Sequence, residues 1–166
     1  MSTPGSSDLS PGTKWPMVQL PDDIFIHSED RPWVAMGEFG GSYVKVLHAD
    51  KTNNIAVFLY QLSPNSVFPM HEHLCTAIAY TLQGDWAYGD IELHKGSFAF
   101  ETPGSTHAPT TGDTGFTVMT VLIGSPGQEA ILRSQDPETL EVTELGIDFF
   151  IDLMKAPGAE GVSDRH

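Results

Sequence analysis

From Asp23 onward the chain runs in short apolar segments, and the frequency of the breaks between them leaves few folds open. Ile24-Phe25-Ile26 is followed by Trp33-Val34-Ala35-Met36, by Gly40-Gly41 and by Tyr43-Val44-Lys45-Val46-Leu47. Ile55 to Leu62 follows an Asn53-Asn54 turn candidate and ends at Ser63-Pro64-Asn65-Ser66. Ala77 to Leu82, Trp86 to Asp90, Ser97 to Glu101 and Phe116 to Ile123 come next, divided by Gly84-Asp85, His94-Lys95-Gly96 and Gly115. Segments this short, rich in β-branched and aromatic residues, suit a pleated sheet better than a helical stripe. No stretch of helical spacing reaches roughly ten residues before residue 140. The expected fold class is all-β, an antiparallel sandwich or barrel.

A chain of 166 residues sustains one domain with a core of its own. Residues 1–19, polar and rich in small side chains, are expected to form a flexible N-terminal arm, and residues 20–135 the β-barrel. The C-terminal segment, 136–166, differs. Thr143 to Lys155 has a capping Thr, early acids, a late Lys and a Pro157-Gly158 stop, which together predict a short helix. Its apolar face would be Ile147, Phe150, Ile151 and Met154, the alternative being a strand over 147–151. Ala159 to His166 read as a frayed end.

Charge removes several partners. Eight Lys and Arg against 22 Asp and Glu leave a net −14, which repels phosphate backbones and anionic lipid, so neither nucleic acid nor a membrane is expected to bind. The longest unbroken apolar run, Ile55 to Tyr60, is far short of the ~18 residues of a membrane helix. Residues 1–20 carry no apolar stretch of the secretory kind. A single cysteine, Cys75, permits no internal disulfide and fits a reducing, cytoplasmic setting. What remains is a small enzyme, a ligand-binding module or a structural subunit.

Three of the seven histidines are set apart by spacing. His71 and His73 lie two apart in Met70-His71-Glu72-His73, and in a strand such residues share one face, so both imidazoles can converge on one ion. His107 ends Pro103-Gly104-Ser105-Thr106-His107, where antiparallel pairing can bring it back to that pair. Neutral imidazole is a common ligand of transition metals, and three of them leave positions for water or substrate. His27, His48, His94 and His166 lack such surroundings and are expected at the surface.

These segments resemble the two motifs of the cupin superfamily. The first is read in His71-Glu72-His73 through Tyr80-Thr81-Leu82-Gln83-Gly84, the second in Gly96-Ser97 through Pro103-Gly104-Ser105-Thr106-His107. The run Ala79-Tyr80-Thr81-Leu82, with Gly84, Trp86 and Tyr88, is similar to the 2,4'-dihydroxyacetophenone dioxygenase group, to anti-sigma-factor-type cupins and, more distantly, to acetylacetone-cleaving dioxygenases. The resemblance implies a double-stranded β-helix, or jelly roll. It also implies one divalent metal per chain, Fe(II) first, with Zn(II), Ni(II) or Mn(II) as alternatives. Two departures stand out: the acidic ligand position is Ala77, and the second motif has Pro103 and Gly104 directly adjacent.

Without a carboxylate at residue 77, Cys75, Asp90, Glu92 or Glu101 would have to replace it, or three neutral ligands would leave the charge of the ion uncompensated. Such an ion favours an anionic chelate, such as an enolised diketone, an α-hydroxyketone or a catecholate. Strand parity turns Ala77, Ala79 and Thr81 inward with the histidines, leaving room above a metal, and sends Ile78, Tyr80 and Leu82 to a face that a second subunit or the arm must cover. Cys75, Ala77, Ala79, Trp86, Tyr88 and Phe100 are the candidate pocket lining, and Glu101 is a candidate for orienting a ligand histidine. The leading expectation is a homodimeric, Fe(II)-dependent dioxygenase cleaving a carbon–carbon bond of a small hydroxyketone, diketone or aromatic ketone with O2. The alternatives are a non-catalytic zinc-binding cupin and another metal-dependent activity, isomerisation or hydrolysis, on the same scaffold.

Overall fold

The computed structural model describes residues 16–36 and 41–164. The expectations for residues 1–15 and for His166 therefore lie outside the described residues. Within them the chain forms β1 (Val34–Ala35), β2 (Ser42–Asp50), β3 (Ile55–Leu62), β4 (His71–His73), β5 (Thr76–Tyr88) and β6 (Ile91–His94). There follow β7 (Phe98–Glu101), β8 (Thr106–His107), β9 (Thr110–Ile123), β10 (Leu132–Gln135), β11 (Val142–Leu145) and a helix, α1 (Ile147–Lys155).

Two antiparallel sheets face each other. The larger has the order β1-β2-β3-β9-β5-β6, with β7 also pairing β5, and the smaller runs β11-β10-β4-β8. The two longest strands, β5 and β9, pair for most of their length at the centre of the larger sheet. Alternation sends Val44, Ala56, Phe58, Ala77 and Leu122 inward, where they meet Ile131 and, from α1, Ile147 and Phe150. Phe58 and Phe150 stack with centroids 4.9 Å apart, so the helix closes one end of the sandwich. A second cluster, Leu62, Trp86, Phe116 and Val118, fills the other end. This is the all-β jelly-roll sandwich with a C-terminal helix that the sequence led us to expect. Among the described residues no helix is long and apolar enough to cross a membrane.

Four expectations need correction. Ile24-Phe25-Ile26 joins no strand and lies exposed. The helix starts at Ile147, not Thr143, because Val142–Leu145 pairs with Leu132–Gln135 as the outer strand of the smaller sheet. Gly146 makes the junction, where a Cβ would sit 2.2 Å from the Glu129 carbonyl oxygen. The same pairing carries the sheet past residue 135, the expected barrel boundary. Finally, residues 159–164 are fastened rather than frayed. Ala159 N–H donates to the Trp33 carbonyl, Gln61 Nε2 to the Ser163 carbonyl, and both Trp33 Nε1 and Lys45 Nζ to Asp164 Oδ1.

Candidate metal centre

The smaller sheet brings the three spaced histidines together. β4 and β8 pair in the register that sets His71 directly opposite His107, while the period of two places His73 on the same face as His71. Their ring centroids lie 4.7 to 5.1 Å apart, and one nitrogen from each falls within 4.8 Å of the others. His71 Nδ1 is 3.1 Å from the Pro69 carbonyl; donating its proton there leaves Nε2 with a free lone pair. Burial holds all three rings below the usual imidazole range, with neighbouring histidines adding to the effect on two of them. His73 falls to about 3 and His107 to about 4. At neutral pH the rings are uncharged, the form in which imidazole ligates a cation.

Glu101 completes the cluster from the larger sheet. It stands directly opposite Ala77 on the β5–β7 ladder. Its Oε2 lies 3.2 Å from His73 Nε2 and 3.8 Å from His107 Nε2. Burial pushes this carboxyl above its ordinary range, opposed by a hydrogen bond from the Tyr88 hydroxyl. Tyr88 also stacks on His107, with centroids 3.9 Å apart and planes 18° apart, so one side chain braces both an acid and a histidine. Burial and the adjoining carboxylate together keep its phenol protonated, with a pKa well above the ordinary tyrosine value.

These residues fit a divalent cation. His73 Nε2 and His107 Nε2 lie 3.1 Å apart, close to the ~3.0 Å between two nitrogens each about 2.1 Å from one ion at a right angle. His73 Nε2 faces both His107 Nε2 and the Glu101 carboxylate, so the three groups converge on one point. A nearby carboxylate supplies the charge that three neutral rings lack.

Above the cluster lies a cavity of about 370 Å³ whose walls include Phe58, Tyr60, Phe68, Trp86, Phe116 and Phe150. Of the expected lining residues, Ala79, Trp86 and Tyr88 border it, with Glu101. Cys75 and Ala77 instead pack into the core beside Leu122 and Ile131. Burial raises the Cys75 thiol to about 11, so no thiolate is offered to an ion at neutral pH. Phe100 is corrected outright: it is 60 % exposed on the outer face, because the inward positions of β7 are Ala99 and Glu101. Asp90 and Glu92 stand exposed on the β5–β6 hairpin. His27 and His94 are exposed and His48 half-buried, none of them in the cluster. Tyr60 and Phe58 were within reach of sequence reasoning, since alternation along Ala56-Val57-Phe58-Leu59-Tyr60 puts them on one face. Phe68, which meets the His71 ring edge-on at 5.2 Å, was not, because it lies outside any strand.

Residues 21–125 match the family described as the ChrR cupin-like domain. Among solved structures, an RmlC-like cupin protein from Ralstonia eutropha JMP134 superposes with a TM-score of 0.67 at 22% identity, over 78% of this chain and 82% of that one. An acetylacetone dioxygenase from Acinetobacter johnsonii gives 0.67 at 16% identity, over 86% and 97%. Rhodobacter sphaeroides SigE in complex with the anti-sigma ChrR gives 0.50 at 18%, over 58% and 51%. At these identities the likeness is one of fold. No curated protein sequence matches the chain.

Proposed function

This chain belongs to the ChrR cupin-like domain family, and on that premise we propose that it is an Fe(II)-dependent dioxygenase cleaving a carbon–carbon bond in a small hydroxyketone, diketone or aromatic ketone. The observation that carries the reading is the position of His71, His73 and His107 beneath an apolar, aromatic-walled cavity. A solved acetylacetone dioxygenase with the same fold supports the substrate class.

A bound divalent metal would act as a Lewis acid toward the oxygens of the ketone. The rest falls to the protein. His71, His73 and His107 would hold the ion, and being uncharged they would leave only the Glu101 carboxylate beside it to offset its charge, so an anionic chelate would still be favoured. Phe68, Trp86 and Phe116 exclude water and accept the apolar part of the substrate. Glu101, raised by burial, is placed to receive the proton that the ketone loses on enolising, and Tyr88 steadies it. The bond next to the carbonyl breaks, and each fragment leaves with one oxygen atom of O2.

The test is anaerobic purification, metal analysis, reconstitution with Fe(II), and O2 uptake over a panel of diketones and hydroxyacetophenones. Uptake with at least one compound, lost in His71→Ala and His107→Ala together with most of the metal, is the expected outcome. Silence across the panel, with stoichiometric zinc in the protein as isolated, favours the second reading, a non-catalytic zinc-binding cupin. That reading draws its support from the family description and from the ChrR anti-sigma structure of the same fold.

A further inference from the structure

The outer face of the larger sheet is closed at one side and open at the other. Over β2 and β3 the C-terminal segment covers it, with Lys45 and Gln61 bonded to Asp164 and Ser163. Over β5, β7 and β9 the covering stops. The register sets Tyr80 opposite Phe98 and Ile78 opposite Phe100 on one side, and Tyr80 opposite Met119 and Ile78 opposite Val121 on the other, so all six point outward together. Tyr80 is 42 % exposed, Phe98 61 % and Phe100 60 %. None of the six is charged, on a chain of net −14.

A second apolar surface belongs to the same chain. Before the body of the fold, Met17, Val18, Leu20, Ile24, Phe25 and Ile26 are all exposed, Met17 at 96 % and Phe25 at 77 %. The segment has a local shape. Leu20 N–H donates to Asp23 Oδ2, and Asp23 N–H donates back to the Leu20 carbonyl, folding the two apolar stretches about a tight turn. Its root is fixed where Lys45 Nζ donates to the Ser28 carbonyl over β2.

We propose that two copies of this chain associate by exchanging these arms, the Met17–Ile26 stretch of each lying on the Tyr80, Phe98 and Phe100 face of the other. Each chain leaves both halves of the contact open, and a two-fold pair closes both at once. The arm alone offers several hundred Å² of apolar surface, which with the sheet face reaches the scale of about 800 Å² per partner in an ordinary stable interface. The charge pattern allows the same occupant: the sheet face carries no charge, and the two acids of the arm, Asp22 and Asp23, sit at its exposed turn, between the apolar stretches that would touch that face.

The experiment is sedimentation of the full chain over a range of concentrations, with Phe25→Asp and Phe98→Asp as separate variants and a cooperative thermal unfolding transition as the check that each has folded. The wild-type chain is expected to sediment as a dimer and each variant as a folded monomer. An equimolar mixture of the two variants should regain dimer, since the intact arm of one meets the intact face of the other. A monomeric wild-type chain, as when the arm folds onto its own sheet, overturns the proposal. So does a dimer that ignores either substitution, or a mixture that stays monomeric.

Discussion

Ala77 and Glu101 face each other across the β5–β7 ladder, so the cluster takes its carboxylate from the strand opposite the residue where the family motif has one. Glu101→Ala should therefore weaken metal binding by about 10- to 100-fold, measured by competition with a chelator. Glu101→Gln, which keeps the shape and removes the charge, should lose affinity nearly as far as the Ala variant, and full affinity in Gln would mean that Glu101 acts through packing alone. The histidines predict a pH dependence for the metal-free protein. His73 at about 3 and His107 at about 4 lie below the unfolded value of about 6.5. Between those limits the unfolded chain holds more protons, so stability is full above pH 6.5 and is lost as pH falls toward 4. Glu101, shifted upward, opposes this, but it is one group against three lowered histidines. The urea midpoint should drop between pH 7 and pH 5, and a flat profile would contradict neutral buried rings. The histidines were legible in the sequence because their spacing is local. Glu101 was singled out only as an acid that could orient a ligand histidine; as the replacement carboxylate it stood level with Cys75, Asp90 and Glu92, because cross-strand register is written in no local pattern.

Elements tell the same story one level up. The strands were legible from alternation and turn residues, and parity placed Ala77, Ala79 and Thr81 inward. Parity alone would then send Trp86 outward. It faces the cavity because the β5–β9 register slips between Thr81 and Gln83, where β5 takes one extra residue against β9. Gly84 makes the slip feasible: its φ is +83° and a Cβ there would lie 1.9 Å from the Gly115 carbonyl oxygen. Gly84→Ala should cost roughly 2–4 kcal/mol, from left-handed backbone and overlap with a rigid strand. Denaturant unfolding measures it, and a loss under 0.5 kcal/mol, the range of ordinary surface changes, would show that the strands can part. The helix was mistaken only in its first turn, where pairing with β10 outweighs the capping preference of Thr143.

At the scale of the whole molecule, segments from before the first strand and after the helix meet on one buried ammonium. Lys45, 3 % exposed at its side chain, donates to Asp164 and to the Ser28 carbonyl, with the Trp33 ring 5.1 Å away. Asp164→Ala should destabilise the fold by about 3 kcal/mol, because it leaves that charge buried without its carboxylate. Lys45→Met combined with Asp164→Ala should recover part of the loss, and thermal unfolding distinguishes the two. Nothing in the sequence marked this clasp, since its partners are separated by most of the chain. Because Ser28 and Asp164 both reach the same nitrogen atom, they lie within a short linker of one another. A single neutralised or removed ammonium would therefore release the entry and the exit of the sandwich in one event.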